Sequence, residues 1–423
     1  MSLRTISDGK FPNAYVGAVP DYSSSLANIS EIFQKLLLDD ILPLWSTVGI
    51  DVRTGGFCET ISGDCTIPYG SRRVRVSARQ VYAFCVASEL GWNRNAAAAC
   101  VRHGSQFLAR YRNEVGLLYH VLAADGSLEG DHDLYDQAFL LLAYAHAYRL
   151  LNEEKFIHLG RSLLVSIRQC FDNPLGGFVD ATNKPHPLRS NPHMHLLESA
   201  LAWAVADPSE LWRDFANELV SLFTARFFDS AGGFVREAFD SDWRPIAEGG
   251  LYRVEPGHNF EWAWLLLRWE SITGGDCGDC PHRMVDFAET HGYDEERHVA
   301  INEVWSDGSP CDSNARLWPQ TERLKAWLAV AKVRKGKERW LAEAHALDAA
   351  QTLLRYLSTD TQGLWHDLMT KDGRFRPAAS PASSLYHIMC AFEDLARYVA
   401  HATSPDLLVE SQTQQFALEE MVS

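Results

Sequence analysis

In Glu255-Pro256-Gly257-His258-Asn259-Phe260-Glu261-Trp262 a histidine and a glutamate stand three residues apart, just where a loop gives way to an apolar-periodic run. Pro256 and Gly257 end the loop, so the pattern predicts a helix over 257–272 with His258 in its first turn. Residues three apart share a helical face, which lets Glu261 orient the ring or fix its tautomer. The positive end of the helix dipole disfavours a protonated imidazole, and a neutral imidazole can act as a base near neutral pH. A lone His–Glu pair is more often structural than catalytic. This one gains weight because the layout recurs along the chain.

Similar clusters open other predicted helices. Arg75 and Arg79 fall in Arg75-Val76-Ser77-Ala78-Arg79, and Tyr135 and Asp136 follow Asp133. Asn191-Pro192-His193-Met194-His195-Leu196-Leu197-Glu198 begins another helix, with Asn191 expected as N-cap and Pro192 at the first helical position. Arg316, Trp318 and Glu322 belong to a further start, and Ser380-Pro381 reads as the opening of the helix that carries Tyr386 and His387.

The elements that position these residues form a repeat. A glycine followed by aromatic or leucine residues returns at intervals of about 60 residues: Gly55-Gly56-Phe57, Gly116-Leu117-Leu118-Tyr119, Gly176-Gly177-Phe178, Gly232-Gly233-Phe234 and Gly363-Leu364-Trp365. A degenerate copy fills the gap at His298–Trp305. Between them, apolar spacing of three and four predicts twelve helices over 26–49, 71–91, 94–113, 133–151, 153–171, 193–206, 208–227, 257–272, 281–293, 316–335, 337–358 and 381–400. Strand-like snippets are expected only at the glycine punctuation. Six helical hairpins can form an open solenoid or a closed double ring. The second helix of each pair carries few charges, as in Val81–Val86 and Phe139–His146, which favours an inner ring and an all-α (α/α)6 barrel. The parallel inner helices then gather the polar clusters into one funnel, with Trp262, Trp318, Tyr135 and Arg75 near its mouth. Aromatic faces beside polar groups suit a sugar. A single domain over 1–423 is expected, with 1–22 and 405–423 as peripheral tails.

Composition narrows the partners. The 423 residues are 46% hydrophobic, enough for a large core, and a net charge of −16 argues against nucleic acid or an anionic membrane. No apolar run approaches the ~18 residues of a membrane span, and the first residues lack a signal peptide's apolar core. Nine cysteines, an odd number, fit reduced thiols in a cytoplasm, and Cys277-Gly278-Asp279-Cys280 reads as a surface loop. No Gly-rich phosphate loop is present, and no histidines fall in a His-Glu-x-x-His spacing, so neither a nucleotide cofactor nor a metal is expected. His193 and His195, two apart on a helix, point in different directions. Whether the chain forms a homo-oligomer stays open.

Five separated motifs carry a resemblance over nearly the whole chain: Ser77-Ala78-Arg79, Asn191 to Glu198, Pro256-Gly257-His258 with Glu261, Trp318-Pro319 with Glu322, and Tyr386-His387. They resemble the N-acylglucosamine 2-epimerase family, with the run from Glu255 to Trp262 most similar to its D-mannose isomerase branch. The resemblance implies an (α/α)6 barrel and metal-free proton transfer on an unphosphorylated sugar. His258 and His387 would be the general acid/base pair and Arg79 and Glu261 essential supports. His195, Glu198, Asn191, Glu322, Trp318, Arg316, Tyr135, Asp136 and Arg75 would contact the monosaccharide. The expected reaction is isomerisation of D-mannose and D-fructose through a cis-enediol. Arg79, permanently charged, suits the developing oxyanion. The residue types equally permit 2-epimerisation of an N-acylglucosamine or cellobiose. A glycoside hydrolase using Glu261 and Glu322, or a non-catalytic binding module, are the other classes.

Overall fold

The computed structural model describes residues 21–183 and 187–402. Of the expected tails, 1–20 and 405–423 lie outside the described residues, and Tyr22 already belongs to the first helix. That helix, α1, runs Tyr22–Leu36 and continues through a wider turn at Leu37–Ile41 into Leu42–Trp45. There follow α2 (Arg75–Glu89), α3 (Arg94–Arg110), α4 (Leu134–Leu151), α5 (Lys155–Phe171), α6 (Ser190–Ala206) and α7 (Glu210–Leu222, extended by Phe223–Phe227). The remainder are α8 (Pro256–Thr273), α9 (Cys280–Gly292), α10 (Leu317–Val333), α11 (Gly336–Leu357) and α12 (Ser383–Ala402).

Each even helix packs on the next, α2 on α4, then α6, α8, α10 and α12, and α12 returns to α2. The ring closes. The odd helices wrap it, with α3, α5, α7, α9 and α11 each packed chiefly on the inner helix before it, not the one after it as the pairing in sequence suggested, and α1 on both α12 and α11. This is an all-α (α/α)6 barrel. The charge contrast between paired helices has a physical basis. Outer helix α5 buries one stripe, with Phe156, Leu163, Leu164 and Ile167 inward. Inner helix α8 buries every residue from Pro256 to Leu267, so it must be apolar on all faces except where function intervenes. No helix among the described residues is long and apolar enough to cross a membrane.

Two- and three-residue strands are not confined to the glycine punctuation. A second set rings one end of the barrel and links successive repeats: Thr60–Ile61 with Ser380–Pro381, Arg72–Arg73 with Val121–Leu122, Leu188–Arg189 with Ala238–Phe239, Arg253–Val254 with Glu303–Trp305, and Ala315–Arg316 with Leu368–Met369. Ser380-Pro381 therefore ends a strand, and α12 begins at Ser383. Asn191 is likewise not the N-cap of α6. The helix begins at Ser190, after an extended Arg189, and Asn191 lies in its first turn.

One side chain per repeat ties a glycine turn to the start of an inner helix or, in the last repeat, to the strand just before it. The backbone N–H of Phe57, Leu118, Phe178, Val235, Ala300 and Trp365 donates to Ser77, Gln137, His193, Asn259, Gln320 and Ser380 respectively. Four of the six acceptors are the fourth residue of their helix, so the clamp is a built-in part of the repeat. It also explains His193. Its Nε2 accepts from Phe178, its Nδ1 lies 2.9 Å from the Arg189 carbonyl, and burial pushes its pKa down to about 4.

Candidate active site

The first two turns of the inner helices converge on a cavity of about 540 Å³. Arg79 comes from α2, Tyr135 from α4, Asn191 and His195 from α6, His258 and Glu261 from α8, Trp318 from α10, and His387 from α12. Arg316 lies at its edge. Glu198 and Glu322 sit just behind the lining. Glu198 accepts from Tyr386 Oη at 2.5 Å and lies 3.2 Å from His195 Nδ1. Glu322 lies 2.8 Å from His387 Nδ1.

Three expected residues fall elsewhere. Arg75 and Asp136 pair with each other at 2.7 Å, and Asp136 also meets His120 at 2.7 Å, so both are committed beside Tyr135 rather than in the cavity wall. Trp262 is fully buried against Phe223 and Phe227, between inner and outer rings, not at the mouth. Its place in the motif reflects packing.

Glu261 does not hold His258 as its spacing suggested. His258 Nδ1 instead meets Glu237 at 2.9 Å and Glu255 at 3.6 Å. Burial opposes the charged form, but Glu237 and Glu255 outweigh it and raise the pKa to about 10. The imidazolium is the resting form, contrary to the dipole argument. A full carboxylate at hydrogen-bond distance outweighs a helix-end partial charge. Asn191 faces Nε2 at 3.2 Å with its amide nitrogen, while its Oδ1 is buried with no hydrogen-bond partner among the described residues. Turning that amide over gives the Nε2–H of an imidazolium its acceptor and satisfies Oδ1.

His387 is the opposite case. Burial, with Arg79 and Lys325 adding to it, drives its pKa well below the ordinary value. With Nδ1 aimed at Glu322, the neutral ring leaves Nε2 as an acceptor. The Trp318 ring lies between the two histidines, 5.1 Å from His258 and 5.7 Å from His387. His195 is neutral too, lowered by burial to about 4.

Arg79 is held on three rings, with its guanidinium carbon 4.1 Å from the Phe139 centroid, 5.2 Å from Tyr386 and 5.5 Å from Tyr135. It donates to Tyr135 Oη and to the Ser383 carbonyl. Below lies Lys325, fully buried, 2.5 Å from Glu322 Oε2 and 3.7 Å over Trp264. Glu261 has a buried Oε1 with no hydrogen-bond partner among the described residues, and burial together with Glu322 holds its pKa well above the usual range.

Three groups bring His and carboxylate atoms within 4.8 Å of one another: His195/Glu198/Glu261, Glu237/Glu255/His258 and Glu261/Glu322/His387. Histidines on separate helices thus come together with carboxylates, which local spacing could not reveal. Sequence reasoning also missed Glu237, Lys325, Arg73, Arg376 and Asp367. Lys325 had a signal, a charge three residues after Glu322 within a buried helix. Glu237 and Arg376 stand in irregular segments without one.

A match to the family described as N-acylglucosamine 2-epimerase (GlcNAc 2-epimerase) spans residues 55–391. The chain belongs to this family. It is 40% identical over 366 residues to a mannose-6-phosphate isomerase of Rhizobium meliloti (strain 1021), covering 85% of this chain and 94% of that one. It is 22% identical to a cellobiose 2-epimerase of Bacteroides fragilis, covering 82% and 92% of the two chains. A crystal structure of D-mannose isomerase superposes with a TM-score of 0.78 at 20% identity, over 90% of this chain and all of that one. The protein is a sugar-modifying enzyme of the epimerase/isomerase superfamily, and the motif residues Arg79, Asn191, His258, Trp318 and His387 line one cavity.

Proposed function

We propose that the protein interconverts an aldose and a ketose by moving a proton between C2 and C1, with D-mannose and D-fructose as the parent pair. The observation that carries this is two histidines on one cavity in opposite surroundings, which push their pKa values apart. His258 has Glu237 at 2.9 Å and Glu255 at 3.6 Å, whereas His387 is buried with Nδ1 2.8 Å from Glu322 and the Arg79 and Lys325 charges nearby. Groups whose surroundings push their pKa values apart mark out acid and base. His258, as imidazolium, gives its proton to the ring oxygen as the C1–O5 bond breaks, and takes back the C1 hydroxyl proton as the carbonyl forms. His387, neutral and oriented by Glu322, then removes the C2 proton to give a cis-enediolate. Arg79 holds the developing oxyanion from its aromatic cradle. Return of the proton to C1 by the same base, with His258 giving a proton to O1 and taking the one from O2, makes the ketose. The similarity to a relative named for mannose-6-phosphate isomerisation and to a D-mannose isomerase supports this outcome.

A second outcome has its own support. An imidazolium opposite a neutral imidazole is also what 2-epimerisation needs, one face of C2 losing a proton and the other gaining one. The family description and the similarity to a cellobiose 2-epimerase favour it. Hydrolysis is less well served, because Glu322 is committed to His387 and Lys325.

The test offers D-mannose, N-acetyl-D-glucosamine and cellobiose in parallel in D₂O, with products read by NMR. Fructose carrying deuterium at C1 supports isomerisation. Deuterium at C2 of an epimer, with no ketose, replaces it by the second outcome.

A further inference from the structure

The mouth of the cavity holds charge that the chemistry at C1 and C2 leaves unexplained. Arg73, Arg316 and Arg376 all line it, in a chain whose net charge is −16. Arg73 is tied to Glu59. The side chains of Arg316 and Arg376 have no hydrogen-bond or ion-pair partner among the described residues, and both are exposed. Their positions come from backbone structure rather than chance. Arg316 pairs in a strand with Leu368, and Arg376 donates its backbone N–H to the Leu368 carbonyl at 2.9 Å. Two carboxyl groups share this end, Asp367 and Glu255, and burial raises the pKa of both, Glu255 to about 7. Asp367 accepts from Ser384 rather than from either arginine.

We infer that Arg316 and Arg376, with Arg73 beside them, form an anion subsite that holds a phosphate or carboxylate on the far end of the sugar while C1 and C2 lie at the histidines. Guanidinium forks without a hydrogen-bonded partner match either oxyanion, although the Arg316 charge already acts on Glu255 and Asp367. Depth agrees with this polarity: His258 and His387 are buried, whereas Arg316 and Arg376 are at the rim. A second sugar ring, which a disaccharide would bring, needs an aromatic platform. The Trp and Tyr rings that line the cavity, Trp318 and Tyr135, lie beside His258 and Arg79. The inference rests on the proposed proton transfer for its orientation of the sugar, and its phosphate arm departs from the expected unphosphorylated substrate.

The test compares kcat/KM for D-mannose, D-mannose 6-phosphate and D-mannuronate in the wild type and in Arg316→Gln and Arg376→Gln. The wild type should favour one acidic sugar over D-mannose by about tenfold or more, the worth of one charge-assisted hydrogen bond. Whichever acidic sugar is preferred identifies phosphate or carboxylate as the group held. In each variant the acidic-to-neutral ratio should fall about tenfold, whereas a general structural defect would move both sugars together and preserve it. Equal or better use of D-mannose by the wild type, or an unchanged ratio in both variants, overturns the subsite. If no sugar is turned over, the proposed reaction fails and the subsite is judged by calorimetric titration with inorganic phosphate. Saturable binding weakened in Arg376→Gln upholds it, and absence of binding or equal binding in the variant overturns it.

Discussion

His258 shows how one residue's role depends on partners far away in sequence. Its Nδ1 is held by Glu237, 21 residues earlier, in an irregular segment with nothing in its spacing to mark it. The histidine was legible from its helix start, but its charge was not, because that is decided by a carboxylate the chain brings in from the neighbouring repeat. Two consequences follow. If the imidazolium is the acid, kcat/KM should hold up to a basic limb near pH 10, and Glu237→Gln should shift that limb towards ~6.5, the value of a free imidazole. An unmoved basic limb in a pH–rate profile would assign it to another group. The same raised pKa adds stability that is complete below ~6.5 and lost as pH rises through about 10. His387→Asn removes the base while keeping a polar group beside Glu322, and turnover should fall by roughly 10²–10⁴-fold with the melting temperature little changed. The charge balance of the floor bears on metals. The Glu261/Glu322/His387 group already has the Lys325 ammonium 2.5 Å from Glu322, and a dication there would face that like charge. Exhaustive chelation should leave turnover intact; loss restored by Zn²⁺ or Mn²⁺ would show that one of the three groups binds an essential ion.

At the scale of elements, helix starts were readable and their neighbours were not. Apolar periodicity located all twelve helices because burial on an inner or outer face imposes that pattern. Ser380-Pro381 misled because a Ser-Pro pair suits a strand end as well as a helix start, and the pairing partner, Thr60–Ile61, lies at the other end of the chain. Gly257 opens the predicted helix and lies inside the first turn of α8, where packing explains the choice of glycine. A Cβ there would come 2.5 Å from the Trp318 ring. Gly257→Ala should therefore push Trp318 into the cavity between the histidines. The expected result is a raised KM and lowered kcat with little loss of thermal stability, since the ring edge can yield into open space. The glycine-turn clamps should behave in reverse. Gln320 both accepts from Ala300 N–H and donates to its carbonyl. Gln320→Leu leaves both buried groups unsatisfied, at a cost of about 1–3 kcal/mol for each, read as a lower denaturation midpoint.

The whole molecule is set by closure. Charge segregation between paired helices pointed to a ring over a solenoid, and the reason is visible at the seam. Gln80 of α2 donates to the Ala382 carbonyl at 2.7 Å and Arg79 to the Ser383 carbonyl at 3.2 Å, joining the second helix to the twelfth. Phe33 stacks on Phe392 at 4.2 Å and Trp45 on Trp365 at 4.6 Å, so the outer layer is sealed at the same place. An open array of six hairpins would have two free ends from which repeats could peel one at a time. Here each inner helix has two inner neighbours, and the site draws on all six, so losing any one exposes apolar surface on both sides and dismantles the cavity. Unfolding in urea should accordingly be a single transition, with far-UV circular dichroism and tryptophan fluorescence coinciding. Weakening the seam, as in Gln80→Leu, should lower the midpoint without splitting the curve, because no repeat has a stable fold apart from the ring. Two resolved transitions, with activity lost in the first, would show that the seam opens separately and that the barrel behaves as a solenoid whose ends meet.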